Sequence, residues 1–287
     1  MLNTMLSKLS SARMVRRVAL PILKRFNPGN IRIRHHYTGR RLLLHSFRHK
    51  GYWFHGRRRE QATTEFFQQA LRPGDTVVEV GGHIGYLTML FAELVGRAGR
   101  VVVFEPGRNN LPYLRENVRG LPGVEIVKQA VSDQDGVATF FEEQLTGQNN
   151  SLLGDYERFS QNRQLAFSNE AYERRDVTTV RLDTFLERRA MQPDFVKIDI
   201  EGAEFLALQG AMKMVREQRP ILVVEVTCHA DQVFQLLTSA GYLLFAPEGK
   251  RFGHGARLNE NVCALHPEKH RERMPNWLPP MLDRRSA

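Results

Sequence analysis

Apolar positions along this chain switch repeatedly between a short period and a helical one, and the switches divide it into alternating strands and helices. Val77, Val78 and Val80 lie between the turn signal Pro73-Gly74 and Gly81-Gly82, which predicts a buried strand. After Gly85 the apolar positions recur at helical spacing (Leu87, Leu90, Phe91, Leu94, Val95), so strand, glycine turn and helix make the first half of a βαβ unit. A second apolar strand, Val101 to Phe104, ends in Glu105. The rhythm continues with a helix over 109–118, a strand over 124–130 and a short extra strand over 136–141. It resumes at 177–182 with a strand, then a helix to 189, a strand over 195–200, a helix over 203–217 and a strand over 221–226. A helix over 231–240 and strand candidates at 242–246 and 261–266 close it. Alternation of this kind predicts an α/β fold with helices on both faces of a mainly parallel sheet.

Three stretches depart from the rhythm. Residues 31–56 carry short strand-like pieces (31–33, 42–44, 52–54) separated by Gly39, Gly51 and Gly56, which predicts a small β appendage ahead of a helix over 60–71. Residues 144–175 are polar and rich in Asn, Gln and Ser, with Tyr156, Phe159, Phe167 and Tyr172 among them. A structureless loop of that length is improbable inside a compact domain, so this stretch is expected to be a partly helical lid over the substrate. Residues 1–25 mix Leu2, Leu6, Leu9 and Val18 with Lys8, Arg13, Arg16 and Arg17, the pattern of a basic amphipathic helix. The expected organisation is a basic arm and β appendage over 1–59, a catalytic domain over 60–266 with the lid inserted at 144–175, and an unassigned tail over 267–287.

Charge sharpens this division. Of the net +10, residues 1–59 hold 15 Lys or Arg and no Asp or Glu; the remainder holds 26 against 31 and is mildly acidic. An anionic partner is therefore expected for the arm and not for the pocket. The longest apolar run in the arm is interrupted by Pro21 and is far shorter than a membrane span, so the expectation is a cytoplasmic protein in peripheral contact with an anionic membrane through residues 1–25. Two cysteines, Cys228 and Cys263, give neither a disulfide framework nor a metal spacing.

The glycine turn could serve a dinucleotide or S-adenosylmethionine. A dinucleotide fingerprint needs G-x-G-x-x-G so that pyrophosphate can approach the helix. Here the register is Glu79-x-Gly81-Gly82-x-x-Gly85. An acid at the mouth of a phosphate site would repel its ligand, but it suits a cofactor bearing an ammonium and a sulfonium. Glu105 at its strand end can accept both ribose hydroxyls. In the strand ending Lys197-Ile-Asp199-Ile-Glu201-Gly202-Ala-Glu204, period two puts Lys197, Asp199 and Glu201 on one face. Buried charges there need partners, and Asp199 falls at the carboxyl end of the sheet, where such folds bind ligands. Glu225 and His229 flank the end of the next core strand, where His229 is placed to act as a base. Paired carboxylates could hold a divalent cation, but no His/Cys cluster accompanies them, so no metal is indicated.

Taken in order, Val78 to Gly85, Val103-Phe-Glu-Pro106, Asn117, Ala130-Val-Ser-Asp133 with Gly136, Leu182-Asp183, Lys197 to Glu204 and Pro220 to Glu225 make the sequence resemble the FkbM-type S-adenosylmethionine-dependent methyltransferases. The resemblance covers about 150 residues, with Glu79 and Gly82-His83 standing where that family more often has Asp and Ala-Asn. It implies a seven-stranded class I, Rossmann-like methyltransferase fold and methylation of a hydroxyl on a sugar, glycan or secondary metabolite. On that reading Gly81, Gly82 and Gly85 admit the cofactor, Glu79 serves its amino-acid end, Glu105 holds the ribose and Val131 lines the adenine. Asp199 orients the acceptor, with Glu201 or His229 as base. A nucleic-acid methyltransferase is the enzymatic competitor, although no Asn/Asp-Pro-Pro-aromatic run follows the fourth core strand. A binding protein with a vestigial cofactor fold is the other.

Overall fold

The computed structural model describes residues 27–143, 147–153, 172–253, 255–256, 258 and 261–278. The basic helix expected over 1–25, with its membrane contact, lies outside them. Strands β1 (Asn30–Arg34) and β2 (Arg41–His45) form an antiparallel hairpin, as their alternation predicts. The inward face of β2 buries Leu42 and Leu44 against Ile84, Tyr86 and Leu114, so the hairpin shares a core with the elements that follow. Residues 52–54, expected as a third strand piece, belong instead to helix α1 (Lys50–His55). The run is aromatic but its burial is helical: His49 and Tyr52, three apart, turn inward while Trp53 and Phe54 face solvent.

Helix α2 (Gln61–Ala70) leads into β3 (Thr76–Val80), α3 (Tyr86–Val95), β4 (Arg100–Phe104), α4 (Leu111–Asn117) and β5 (Val124–Val127). The strand expected to run to residue 130 stops at Val127; Ala130–Val131 is a separate strand, β6. It joins β7 (Gly136–Glu143) and β8 (Tyr172–Val180) in a three-stranded sheet ordered β6-β8-β7. Residues 172–175, expected in the lid, are thus the start of β8, and Ser151 is bridged to Phe141 of β7. The rest of the lid, 144–146 and 154–171, lies outside the described residues. Next come α5 (Leu182–Arg188), β9 (Phe195–Ile198) and α6 (Glu204–Gln209). The helix expected over 203–217 breaks at Gly210, which lies so close to β6 that a Cβ there would stand 2.0 Å from the Ser132 carbonyl oxygen. The chain restarts as a π-helical turn, Met214–Gln218, whose leading amides (Lys213 and Met214) donate to the Asp183 carboxylate at 2.9 Å each. The chain then forms β10 (Ile221–Glu225), α7 (Ala230–Ser239), β11 (Leu243–Phe245), β12 (Asn261–Leu265) and α8 (Pro267–His270). The unassigned tail is structured as far as Leu278: Trp277 packs edge-on against Phe66 and Phe245, and Arg273 pairs with Asp75.

The main sheet has seven strands in the order β11-β12-β10-β9-β3-β4-β5, with β12 antiparallel to both neighbours and the other pairs parallel. This is the class I methyltransferase arrangement that the resemblance implies. One buried cluster joins Val78, Val102, Val196, Val224 and α5; another joins Val77, Val101, Phe195 and Val223 to α2 and α3. Alternate residues of each central strand feed opposite layers, which is why these strands read as unbroken apolar runs. From β3 the chain proceeds outward through β4 and β5, then crosses back to β9 and β10. That reversal leaves a crevice at the carboxyl ends of β3, β4 and β9.

Candidate active site

A cleft of about 850 Å³, counted out to its mouth, fills this crevice. Its floor begins where β3 ends. Gly81 has φ +95°, and a Cβ there would stand 1.8 Å from the Asp199 carbonyl oxygen, so only glycine lets the ends of β3 and β9 meet. Gly82 lines an adjoining smaller cavity, whereas Gly85 turns away and packs on Leu114. Of the three glycines expected to admit the cofactor, two line these cavities.

Glu105, at the end of β4, is 4% exposed. Its Oε2 accepts the His83 amide at 2.7 Å, and its Oε1 accepts the Gly107 amide at 2.8 Å and the Asn110 side-chain amide at 3.3 Å. Burial pushes its pKa up to about 7 against the pull of those N–H groups. Asn110 also donates to the Gly147 carbonyl, while its own buried Oδ1 has no partner among the described residues. Val131, Phe140 and Leu152 supply an apolar wall nearby. The donor set fits an adenosine: a flat apolar slot, a carboxylate for vicinal hydroxyls and an orphan acceptor for an N–H or O–H.

Around β9 the site is ionic. Lys197, 2% exposed in its side chain, donates to Asp199 Oδ2 at 2.6 Å. Burial alone would raise the Asp199 pKa, but the Lys197 ammonium overrides it and holds the carboxyl below its ordinary range. Glu225, at the end of β10, is hydrogen-bonded to Asp199; the negative charge on Asp199, then burial, raise its pKa far above a normal carboxylate. The two carboxyls therefore share one proton near neutrality. Glu79 sits opposite Lys197 in the β3–β9 register, accepts the Thr88 hydroxyl at 2.6 Å and is pushed up to about 8 by burial.

Glu201 lines the cleft on left-handed backbone (φ +51°), and its carbonyl accepts the Ser151 hydroxyl at 2.7 Å. Glu60 and His83, which also line it, share that unfavourable conformation, and such strain collects at functional sites. His229 does not join them. It precedes α7 with its ring 5.7 Å from Phe205, off the cleft wall. The structure brings together Glu79, Gly81, Glu105, Val131, Asp199 and Glu201, and adds Tyr52, Arg59 and Glu60 from the N-terminal segment, which periodicity could not tie to the pocket. Among the described residues no cluster of His, Cys, Asp or Glu could hold a metal, and no helix is long and apolar enough to cross a membrane.

These carboxyls predict a pH dependence. Glu79, Glu105 and Glu204 carry folded pKa values of about 8, 7 and 7, above the unfolded 4.5, so the folded chain holds extra protons and loses stability as pH rises through that range. His35 and His49, depressed by burial to about 4 and about 2, act oppositely, but their unfolded forms are already half deprotonated at pH 6.5, so each returns only about 0.4 kcal/mol above it. Raising the pH from 6.5 to 8.5 should cost on the order of 2 kcal/mol. Denaturant midpoints at the two values check it; a higher midpoint at pH 8.5 would show that these carboxyls are already ionised.

Part of the chain is similar to known methyltransferases. Residues 79–244 match the Methyltransferase FkbM domain. The chain is 33% identical over 158 residues to the 31-O-demethyl-FK506 methyltransferase FkbM of Streptomyces tacrolimicus, which covers 49% of this chain and 60% of that protein. A shorter match, 42% over 65 residues, links it to ribosomal RNA small subunit methyltransferase A of Pelotomaculum thermopropionicum, covering 23% of this chain and 21% of that one. The solved methyltransferase FkbM from Methylobacillus flagellatus superposes with a TM-score of 0.43 at 16% identity, over 70% of this chain and 50% of its own. The domain match takes in more than half of the chain, from the β3 carboxylate through the cleft to β11, and on that ground the protein belongs to the FkbM methyltransferase domain family.

Proposed function

We propose that this protein is an S-adenosylmethionine-dependent O-methyltransferase that acts on a hydroxyl of a sugar, glycan or secondary metabolite. The observation that carries the reading is one cleft with an adenosine-like donor set at Glu105 and Val131 and a carboxyl pair, Asp199 and Glu225, at the adjoining strand ends. When bound, the cofactor supplies an electrophilic methyl on a sulfonium. Glu105 would hold the ribose, and Val131 and Phe140 would cover the adenine. Glu79, which burial keeps protonated at neutral pH, ionises to meet the ammonium of the amino-acid end.

Asp199, kept anionic by Lys197, would accept a hydrogen bond from the acceptor hydroxyl and orient it in the cleft. The hydroxyl proton would pass to the Asp199–Glu225 pair, with Glu201 as the further acceptor at the cleft wall. A site this rich in carboxyls disfavours anionic acceptors, phosphodiesters included, and suits a neutral hydroxyl. Incubation with cofactor and a panel of neutral glycans and polyketides should produce a 14-dalton increment, by mass spectrometry, on a hydroxyl-bearing compound. Exclusive modification of RNA would replace this reading with the nucleic-acid one.

A further inference from the structure

The smaller cavity, about 440 Å³ out to its mouth, opens beside the glycine turn and shares Tyr52, Arg59, Glu60, Gly81, His83 and Asp199 with the main cleft. Tyr52, Arg59 and Glu60 precede residue 79, where the family match begins, so the family says nothing about them. Arg59 is held on three sides. Its guanidinium lies 4.5 Å above the Tyr52 ring, its Nε stands 3.2 Å from the Glu60 carboxylate in an ion pair, and Gly51 leaves it room, since a Cβ there would stand 2.5 Å from Nη1. Tyr52 is fixed in turn by a 3.0 Å hydrogen bond between its hydroxyl and His83 Nδ1, which ties the arginine's seat to the glycine turn.

Two cations face this cavity, and they differ in what they have left to give. Lys197 is spent on Asp199 at 2.6 Å. Arg59 has Glu60 as its one ion-pair partner among the described residues, and that pair uses Nε, not the two terminal nitrogens. A guanidinium held over an aromatic ring, with no hydrogen bond from its terminal N–H groups among the described residues, is suited to bidentate capture of a carboxylate. Glu60 and the anionic Asp199 also line the cavity and give it the opposite sign beside the arginine, so that a zwitterion, and not a simple anion, satisfies both.

We propose that Arg59 anchors the α-carboxylate of the cofactor's amino-acid end, with Tyr52 and Glu60 as positioning residues that hold the guanidinium. The proposal rests on the cofactor reading above and adds the residue by which this chain distinguishes the whole cofactor from its nucleoside part.

The test is calorimetric titration of the full chain with S-adenosylhomocysteine and with 5′-methylthioadenosine, which lacks the amino-acid end. The native chain should prefer the former by about 100-fold. Arg59→Gln should weaken S-adenosylhomocysteine about 10- to 100-fold, the worth of one or two charge-assisted hydrogen bonds, and leave methylthioadenosine within about threefold. Retained methylthioadenosine binding certifies that the variant is folded. Arg59→Lys, which keeps the charge but not the fork, should fall between. Equal weakening of both ligands would make Arg59 a purely structural residue and overturn the proposal, as would no weakening of either. Should the native chain bind both ligands equally, the cofactor reading stands and this subsite falls; should it bind neither, both fall.

Discussion

Asp199→Asn should cost about 3 kcal/mol of folding stability and slow methyl transfer about 100-fold or more. The stability loss comes from Lys197, whose side chain is 2% exposed and would be left facing a neutral amide. Removing one partner of a buried pair typically costs about 3 to 5 kcal/mol. The low end applies here because Glu79, opposite Lys197 across the β3–β9 pair, can ionise and take up part of the charge. The rate loss has a different origin: the amide can still occupy the space but cannot take the hydroxyl proton. A double replacement, Lys197→Met with Asp199→Asn, separates the two effects by removing the stranded ammonium. It should recover most of the denaturant midpoint and none of the turnover. A single variant with native turnover would remove Asp199 from the reaction, and a double variant with restored turnover would show that its role is structural alone.

Glu105→Ala should weaken S-adenosylhomocysteine binding by about 2 to 4 kcal/mol, roughly 30- to 1,000-fold, through the loss of two charge-assisted hydrogen bonds to the ribose, part of which water replaces. The carboxylate also receives the amides of His83 and Gly107, so the variant should be less stable by a further 1 to 3 kcal/mol or so. These contributions are told apart with 5′-methylthioadenosine and its 2′-deoxy analogue. The native chain should favour the ribose form, and the variant should bind both alike. A variant that still discriminates would mean that another group reads the hydroxyl.

The sheet was legible in the sequence because each core strand is bounded by a sharp signal: Pro73-Gly74 before β3, Glu105 after β4, Gly202 after β9 and Pro220 before β10. Strand ends set the carboxyl edge, so Glu79, Glu105 and Asp199 could be placed around one crevice before any contact was known. What periodicity missed depends on tertiary contact. Nothing local tells that Arg59, twenty residues before Glu79 in the chain, stacks on Tyr52 and faces the same cavity as Lys197. The aromatic run at 52–54 carries strand propensity, yet burial of Tyr52 against the glycine turn makes it a helix. Gly210 read as an ordinary helical residue, and only the Ser132 backbone beside it shows why no side chain fits there. His229 was drawn to the site by its position one turn past a strand end, but the left-handed residue itself redirects the chain and sends its ring toward Phe205.

The central claim is that the cleft between β3, β4 and β9 is a site for S-adenosylmethionine, and calorimetry tests it most directly. Titration of the full chain with S-adenosylhomocysteine at pH 7.5, with NAD as the comparison ligand, should give saturable one-to-one binding of the former and none of the latter. Heats that follow NAD, or the absence of heat with S-adenosylhomocysteine while the protein remains folded, would contradict the account.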